Sequence, residues 1–358
     1  HACAPQKRRL DAAHQPTSRK SPSRGYRGKV PSLNPAVAEI RRAVRTALGA
    51  LPVPPASVVV ALSGGADSLA LAAATAFEAR AAGIAVLSVT VDHGLQEDSA
   101  RIAADAAAAA TTLGIGARVR RVDVVATGEG PEADARAARY SALREVARAE
   151  GAPVLLGHTL DDQAETVLLG LARGSGSGSL QGMAPVRTDD DGTTWIRPLL
   201  AVRRETTRAA CAAEGLVPWD DPHNVDLRYA RVRVRERVLP VLEAELGPGV
   251  AEALARTAEQ LREDAEAFDE MIHETIEDIV EHAEAGISVS APALSANPAA
   301  LRNRIIRLVV QSEFGVGLTR TQTVEVARLV TDWSGQGPID LPGCTAARVG
   351  GRIVFAAR

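Results

Sequence analysis

The 358-residue chain is 46% hydrophobic and 24% charged, with a formal net charge of -3. That is the composition of a globular protein with room for two or three domains and no global attraction to nucleic acid or membrane. No run of about 18 apolar residues offers a membrane span, and Cys3, Cys211 and Cys344 stand apart from one another and from any histidine at ligand spacing, which speaks against a disulfide framework or a zinc site. A soluble protein of the cytoplasm is expected.

The only lysines are Lys7, Lys20 and Lys29. Residues 1–30 hold one acid, Asp11, among eight basic residues, with no apolar periodicity, and are expected to be a disordered basic extension. They lack both the amphipathic face of a transit peptide and the apolar stretch of a secretory signal.

From Ser57 onward, short β-branched runs alternate with alanine-rich amphipathic ones. Strands are predicted over 57–62, 84–91, 117–124 and 152–157, and helices over about 67–82, 97–113, 132–150 and 161–173. Such repeated βαβ units predict an α/β fold with a doubly wound parallel sheet, whose ligand crevice lies beyond the carboxyl ends of the strands. GSGSGS (174–179) reads by composition as a flexible interdomain linker. A β-like stretch follows over 194–200, then helices over 202–214, 228–246 and 249–284. The remainder mixes short strands with helices around 298–313 and 321–331. The expected domains are a catalytic unit over 31–220, a helical one over 221–285 and a small α+β region over 286–358 that completes a mostly helical second domain.

SGGADS (63–68) sits directly after the first strand and opens the first helix. Gly64 and Gly65 let backbone approach an anion, Ser63 and Ser68 can donate hydroxyl hydrogen bonds, and the helix adds free N–H groups and a positive dipole end. Asp67 in such a cradle implies a bridging magnesium ion. The motif is not a Walker loop, which needs a lysine, and no lysine follows position 29. It reads as the phosphate grip of an enzyme that splits ATP into AMP and pyrophosphate.

Two further strands end in polar clusters. Asp92 and His93 in VDHGL (91–95) face the nucleotide or simply form a solvated helix entry. In GHTLDDQAET (157–166), Asp161, Asp162 and Glu165 share one face of a helix start. Capping and the macrodipole explain one or two acids there; three need a cation, either magnesium or a substrate ammonium group.

SGGADS, VDHGL, EADARAARY (132–140), GHTLDDQAET, ARGSGSGSLQGM (172–183), RPLL (197–200) and DPHNVDLRYARVRVRERVLPVL (221–242) occur in the order seen in tRNA(Ile)-lysidine synthases. The chain resembles that family strongly over residues 56–245. The resemblance implies an ATP-dependent carbon–nitrogen ligase that joins free lysine to the wobble cytidine of the CAU-anticodon isoleucine tRNA through an adenylated base.

It also implies site residues: Ser63, Gly64, Gly65, Ala66, Asp67, Ser68, His93, Gly157 and His158 around ATP and pyrophosphate, with magnesium at Asp67. Asp162 and Glu165 are implied at the lysine amine or a metal, Arg139 near the nucleotide, and ARGSGSGSLQGM as an active-site loop around Arg173 instead of a linker. The sequence departs from the family pattern at Ser179, His223 and Val232.

Arg228, Arg231, Arg233, Arg235 and Arg237 form a basic cluster, either for tRNA phosphates, with Arg228, Arg231 and Arg235 foremost, or a solvated helix paired with Asp226 and Glu236. A homodimer is allowed for. Two rivals are a related enzyme that thiolates a tRNA base, disfavoured because no C-x-x-C is present, and a nucleotide sensor without catalysis, disfavoured by the acids beside the loop.

Overall fold

The computed structural model describes residues 33–94, 98–128, 130–174, 176–283 and 286–358. The extension expected over 1–30 lies outside the described residues, as do Leu95 to Glu97 and Ser175.

The first described element is a helix that the pattern of strands and helices had not marked. In α1 (Pro35–Gly49), the Asn34 side chain accepts from the Ala36 N–H at 2.9 Å, and Pro35 occupies the first turn, where a missing N–H is harmless. Val37, Ile40, Val44 and Leu48 line its buried face.

The expected alternation then follows: β1 (Ser57–Ala61), α2 (Ala66–Ala82), β2 (Ala85–Asp92), α3 (Ser99–Thr112), β3 (Gly116–Arg121), α4 (Pro131–Glu150), β4 (Val154–Leu155) and α5 (Leu160–Ala172). After α5 the chain forms α6 (Ser177–Leu180), β5 (Val186–Thr188), β6 (Thr194–Ile196) and α7 (Arg204–Ala213).

Among the described residues these strands make a six-stranded sheet in the order β3-β2-β1-β4-β6-β5, parallel except at the β5–β6 hairpin. The glycine–serine run is therefore not an interdomain linker, since the chain returns from it into the same sheet. Helix α2 is buried on nearly every side, because its alanines let α1, α7 and the sheet all approach closely. On the opposite face Leu143, Val146 and Ala147 of α4 pack against Val59, Val89, Val154 and Trp195. Strand order reverses direction between β1 and β4, so the crevice opens where those two strands end.

The helix expected over 228–246 is broken. A 3-10 turn (Pro222–Val225) precedes α8 (Ala230–Arg233), a π-helical turn (Val234–Val238) and α9 (Leu239–Leu246). Pro240 has no N–H to return to the carbonyl of Glu236, which favours the wider turn before it.

Helix α10 (Val250–Ile279) is continuous, and every seventh residue along it, Ala251, Ala258, Ala265, Ile272 and Ile279, is buried. Its first turns meet Leu160, Ala164 and Leu168 of α5 through Ala251, Leu254 and Ala255. Its last turns, through Phe268, Ile272, Ile276 and Ile279, belong to a second core. That core is built from β7 (Val280–Ala283), β8 (Gly286–Ser290), α11 (Ala291–Ala296), α12 (Ala299–Phe314), α13 (Arg320–Thr331), β9 (Ile339–Leu341), β10 (Cys344–Val349) and β11 (Arg352–Ala357). Its antiparallel sheet has the order β7-β8-β11-β10-β9.

Candidate active site

The SGGADS turn joins β1 to α2. Gly64 has φ +86°, a conformation that costs glycine nothing, and its carbonyl accepts from the Trp219 N–H at 2.9 Å. The Ser68 hydroxyl donates to the Gly65 carbonyl at 2.9 Å and accepts from the Ser63 N–H at 3.2 Å. Ser68 thus braces the turn from inside, while Ser63 is exposed. The first-turn N–H groups of α2 have no intrahelical acceptor and point their dipole end at the crevice.

Gly157, two residues past β4, lies against the same turn. A Cβ on it would lie 3.1 Å from the Asp67 carbonyl carbon and 3.2 Å from the Ser68 nitrogen. Only glycine lets the chain leaving β4 approach the first turn of α2 this closely.

The acid cluster is already supplied with cations, and they are arginines. Thr159 caps α5 and, with Asp162, closes a capping box: Asp162 Oδ2 accepts from the Thr159 N–H at 2.9 Å. Arg204, on the first turn of α7, lies 2.8 Å from Asp162 Oδ1, 3.2 Å from Glu165 Oε1 and 3.6 Å from Asp67 Oδ2. Arg235 donates from Nε to Glu165 Oε1 at 2.7 Å, and Arg231 Nε stands 3.4 Å from Glu165 Oε2. Arg203 lies 3.5 Å from Asp161, whose other oxygen accepts from the Arg204 N–H at 2.7 Å. A guanidinium at a helix N-terminus opposes the macrodipole, and Asp161 offsets that cost.

The titration of this cage follows from its packing. Burial opposes ionisation of Asp162, yet Arg204 and the Thr159 N–H outweigh it and hold its carboxyl below the usual range. Burial raises Asp67 against the pull of the Thr207 hydroxyl, which donates to its Oδ1, and of Arg204. Burial also works against the Arg204 charge, but Asp162, Glu165, Asp67 and Asp161 together raise its pKa.

Asp67 could offer one oxygen donor to a magnesium ion: it is a single carboxylate with a 26% exposed side chain beside the SGGADS turn. Among the described residues, no group of three or more His, Cys, Asp or Glu side chains is arranged to hold a metal on protein donors alone.

Two histidines border the crevice, and the Nδ1 of each is buried without a hydrogen-bond partner. Burial, with the charges of Arg197, Arg136 and Arg231 overriding the attraction of Asp162, pushes His158 down to about 3. Burial lowers His93, and the charge of Arg139 on α4 adds to that. Asp92 serves the turn, accepting from the Gly94 N–H at 3.0 Å.

Of the arginines expected at tRNA phosphates, Arg228 is exposed and pairs with Asp226 at 2.6 Å, whereas Arg231 and Arg235 turn inward onto Glu165. Glu165 itself has no exposed side-chain surface. Arg173 is exposed at the end of α5.

Sequence reasoning missed Arg203, Arg204 and Thr207. The signal was present: three acids at one helix start demand cations, and a pair of arginines follows RPLL at the head of the next predicted helix.

A family described as "PP-loop domain" matches residues 38–242, and one described as "TilS substrate binding domain" matches residues 290–354. A tRNA(Ile)-lysidine synthase of Leifsonia xyli subsp. xyli is 56% identical over 88% of this chain and 98% of its own length. That of Thermobifida fusca is 48% identical over 90% of this chain and 98% of its own length.

Among solved structures, the U34-tRNA thiolase NcsA from Methanococcus maripaludis with its [4Fe-4S] cluster superposes with a TM-score of 0.54 at 21% identity, over 64% of this chain and 80% of its own. The fold is shared. The described cysteines of this chain, Cys211 and Cys344, lie buried in separate cores.

Proposed function

Since the chain belongs to the tRNA(Ile)-lysidine synthase family, we propose that it forms lysidine on the CAU-anticodon isoleucine tRNA, joining lysine to the wobble cytidine with ATP as the activating substrate. The cytosine carbonyl oxygen attacks the α-phosphorus of ATP, pyrophosphate leaves, and the base is adenylated at that oxygen. An amine of lysine then adds to the ring carbon, and AMP departs with the oxygen. A poor leaving group has become a good one.

The observation that carries this reading is the meeting of a phosphate-binding turn and a caged acid cluster in one crevice, with Arg204 in contact with both Asp67 and Asp162. Ser63, Gly64, Gly65, Ala66 and Asp67 receive the pyrophosphate end, and Ser68 braces them. Arg139, His93, Gly157 and His158 flank the nucleotide. His158, neutral at pH 7, offers an uncharged imidazole. Asp67 is the residue that would hold a magnesium ion, which would supply neutralisation of charge on the departing pyrophosphate.

The lysine ammonium is taken at the Asp162 side of the cage, where 13% of the side chain remains exposed. Glu165 contributes by holding Arg231 and Arg235. Arg228 is the outward guanidinium for tRNA phosphates, and Arg231 and Arg235 reach them only by leaving Glu165. The cytoplasm as site of action and a homodimer as assembly belong to the same proposal.

The test is incorporation of labelled lysine. With ATP and magnesium, the isoleucine tRNA bearing CAU becomes labelled and the methionine tRNA with the same anticodon does not. Absence of label in both would sink the assignment.

A further inference from the structure

Segment Gly176–Met183 leaves α5 and folds back onto it. Gln163, buried on α5 between Asp162 and Glu165, grips the end of that segment: its Nε2 donates to the Met183 carbonyl at 2.8 Å and its Oε1 accepts from the Met183 N–H at 2.7 Å. The contact is close enough to require glycine twice. A Cβ on Gly182, at φ +62°, would collide with the Gln163 amide, and a Cβ on Gly170 would lie 2.6 Å from the Ser179 carbonyl oxygen.

From the other side comes Arg262 of α10. Its Nη1 donates to the Gln181 carbonyl at 3.0 Å and to the Met183 carbonyl at 3.2 Å. Met183 thereby accepts from the acid-bearing helix and from α10 at one oxygen. Arg262 lies on a helix rich in carboxylates, yet no carboxylate stands at ion-pair distance from it among the described residues; its described hydrogen bonds all go to the segment. Charge-assisted donation to carbonyls is among the stronger kinds of hydrogen bond. Ten residues further along the same helix, Ile272 is in the second core.

We propose that Arg262 is a positioning residue: it fixes segment Gly176–Met183 against the helix that carries Asp162 and Glu165, and it ties the order of that segment to the helix on which the C-terminal core is built. Arg262 touches neither phosphate loop nor acids; it acts through Gln181 and Met183. What is turned over rests on the lysidine-synthase reading, whereas the hold on the segment does not.

The experiment compares the full chain with Arg262→Gln and Arg262→Lys. Amide exchange of residues 176–183 is measured without substrates, and kcat and KM for ATP are measured with the CAU isoleucine tRNA and lysine. In Arg262→Gln, exchange of the segment is expected to accelerate about tenfold or more and kcat to fall by about the same factor, the worth of a charge-assisted hydrogen bond. KM for ATP and exchange across β1, β2 and α2 stay as they are. Arg262→Lys, which keeps a charged donor, restores both readouts most of the way.

Wild-type exchange in Arg262→Gln overturns the proposal. So does a loss spread evenly over the first sheet, which marks a merely structural role, and so does a lysine variant as poor as the glutamine one. If the wild-type chain makes no lysidine, the functional reading fails, and the exchange measurement alone decides the role of Arg262.

Discussion

Replacing Arg204 with methionine would strand carboxylates that the fold has buried together. Arg204 stands 2.8 Å from Asp162 and 3.2 Å from Glu165, at side-chain exposures of 18%, 13% and 0% respectively. Glu165 keeps Arg235 at 2.7 Å, but the next cation to Asp162 is Arg235 at 3.7 Å. The damage therefore falls mainly on Asp162. Removing one partner of a buried pair costs about 3–5 kcal/mol, and with Arg235 still near, about 3 kcal/mol at pH 7 is expected.

The pH dependence fixes the cause. Asp162 is held below its ordinary value, so its contribution is fully present above the unfolded pKa of about 3.9 and is lost as pH falls through the lower folded value. In the variant burial loses its chief opponent and raises the Asp162 carboxyl above its ordinary value, so it takes up a proton before pH 4 is reached and relieves the stranded charge. The gap between the two proteins is therefore widest at pH 7 and narrows toward pH 4.

Urea unfolding can be followed through Trp195, which is fully buried in β6. A loss of about 3 kcal/mol corresponds to a midpoint shift of about 1 M or more. An unchanged midpoint at pH 7, or an equal shift at pH 7 and pH 4, would refute the reasoning.

Two further outcomes are expected. Asp67→Ala removes the carboxylate beside the anion-binding turn and should abolish AMP and pyrophosphate release while leaving the fold intact; normal release in a turnover assay contradicts its assigned role. Gly157→Ala places a methyl 3.1 Å from the Asp67 backbone, so the segment after β4 and the first turn of α2 must part. The overpacking costs about 1–3 kcal/mol, read as a several-fold or greater rise in KM for ATP, and a variant with wild-type KM means the turn tolerates the separation.

The parallel sheet was legible because β-branched runs alternate with alanine-rich ones and each strand end carries polar residues. Strand β5 (Val186–Thr188) was not, since a three-residue exposed strand leaves no periodicity to read. Nor was α1, whose stripe of Val37, Ile40, Val44 and Leu48 is helical in spacing but lies ahead of the first strand. The geometry of the SGGADS turn could be anticipated, because glycine and serine act there locally.

The acids were legible as a group and misleading as to their partners. Sequence spacing shows which side chains share a helix face, but the guanidiniums around Asp162 arrive 42 and 73 positions later, from α7 and the π turn. Only the crossing of helices brings them in. For the same reason the inward turn of Arg231 and Arg235 could not be separated from an outward one.

The choice of guanidinium for the acid cage bears on which nucleophile can react. Arginine stays protonated through the physiological range and its guanidinium is a poor nucleophile, whereas a lysine, even with its pKa raised by carboxylates, keeps a small fraction of free amine that can attack. No lysine side chain occurs after Lys29. Among the described residues the cations around the acid cage are guanidiniums, poor nucleophiles at neutral pH, so none of them competes for an electrophile brought into the crevice.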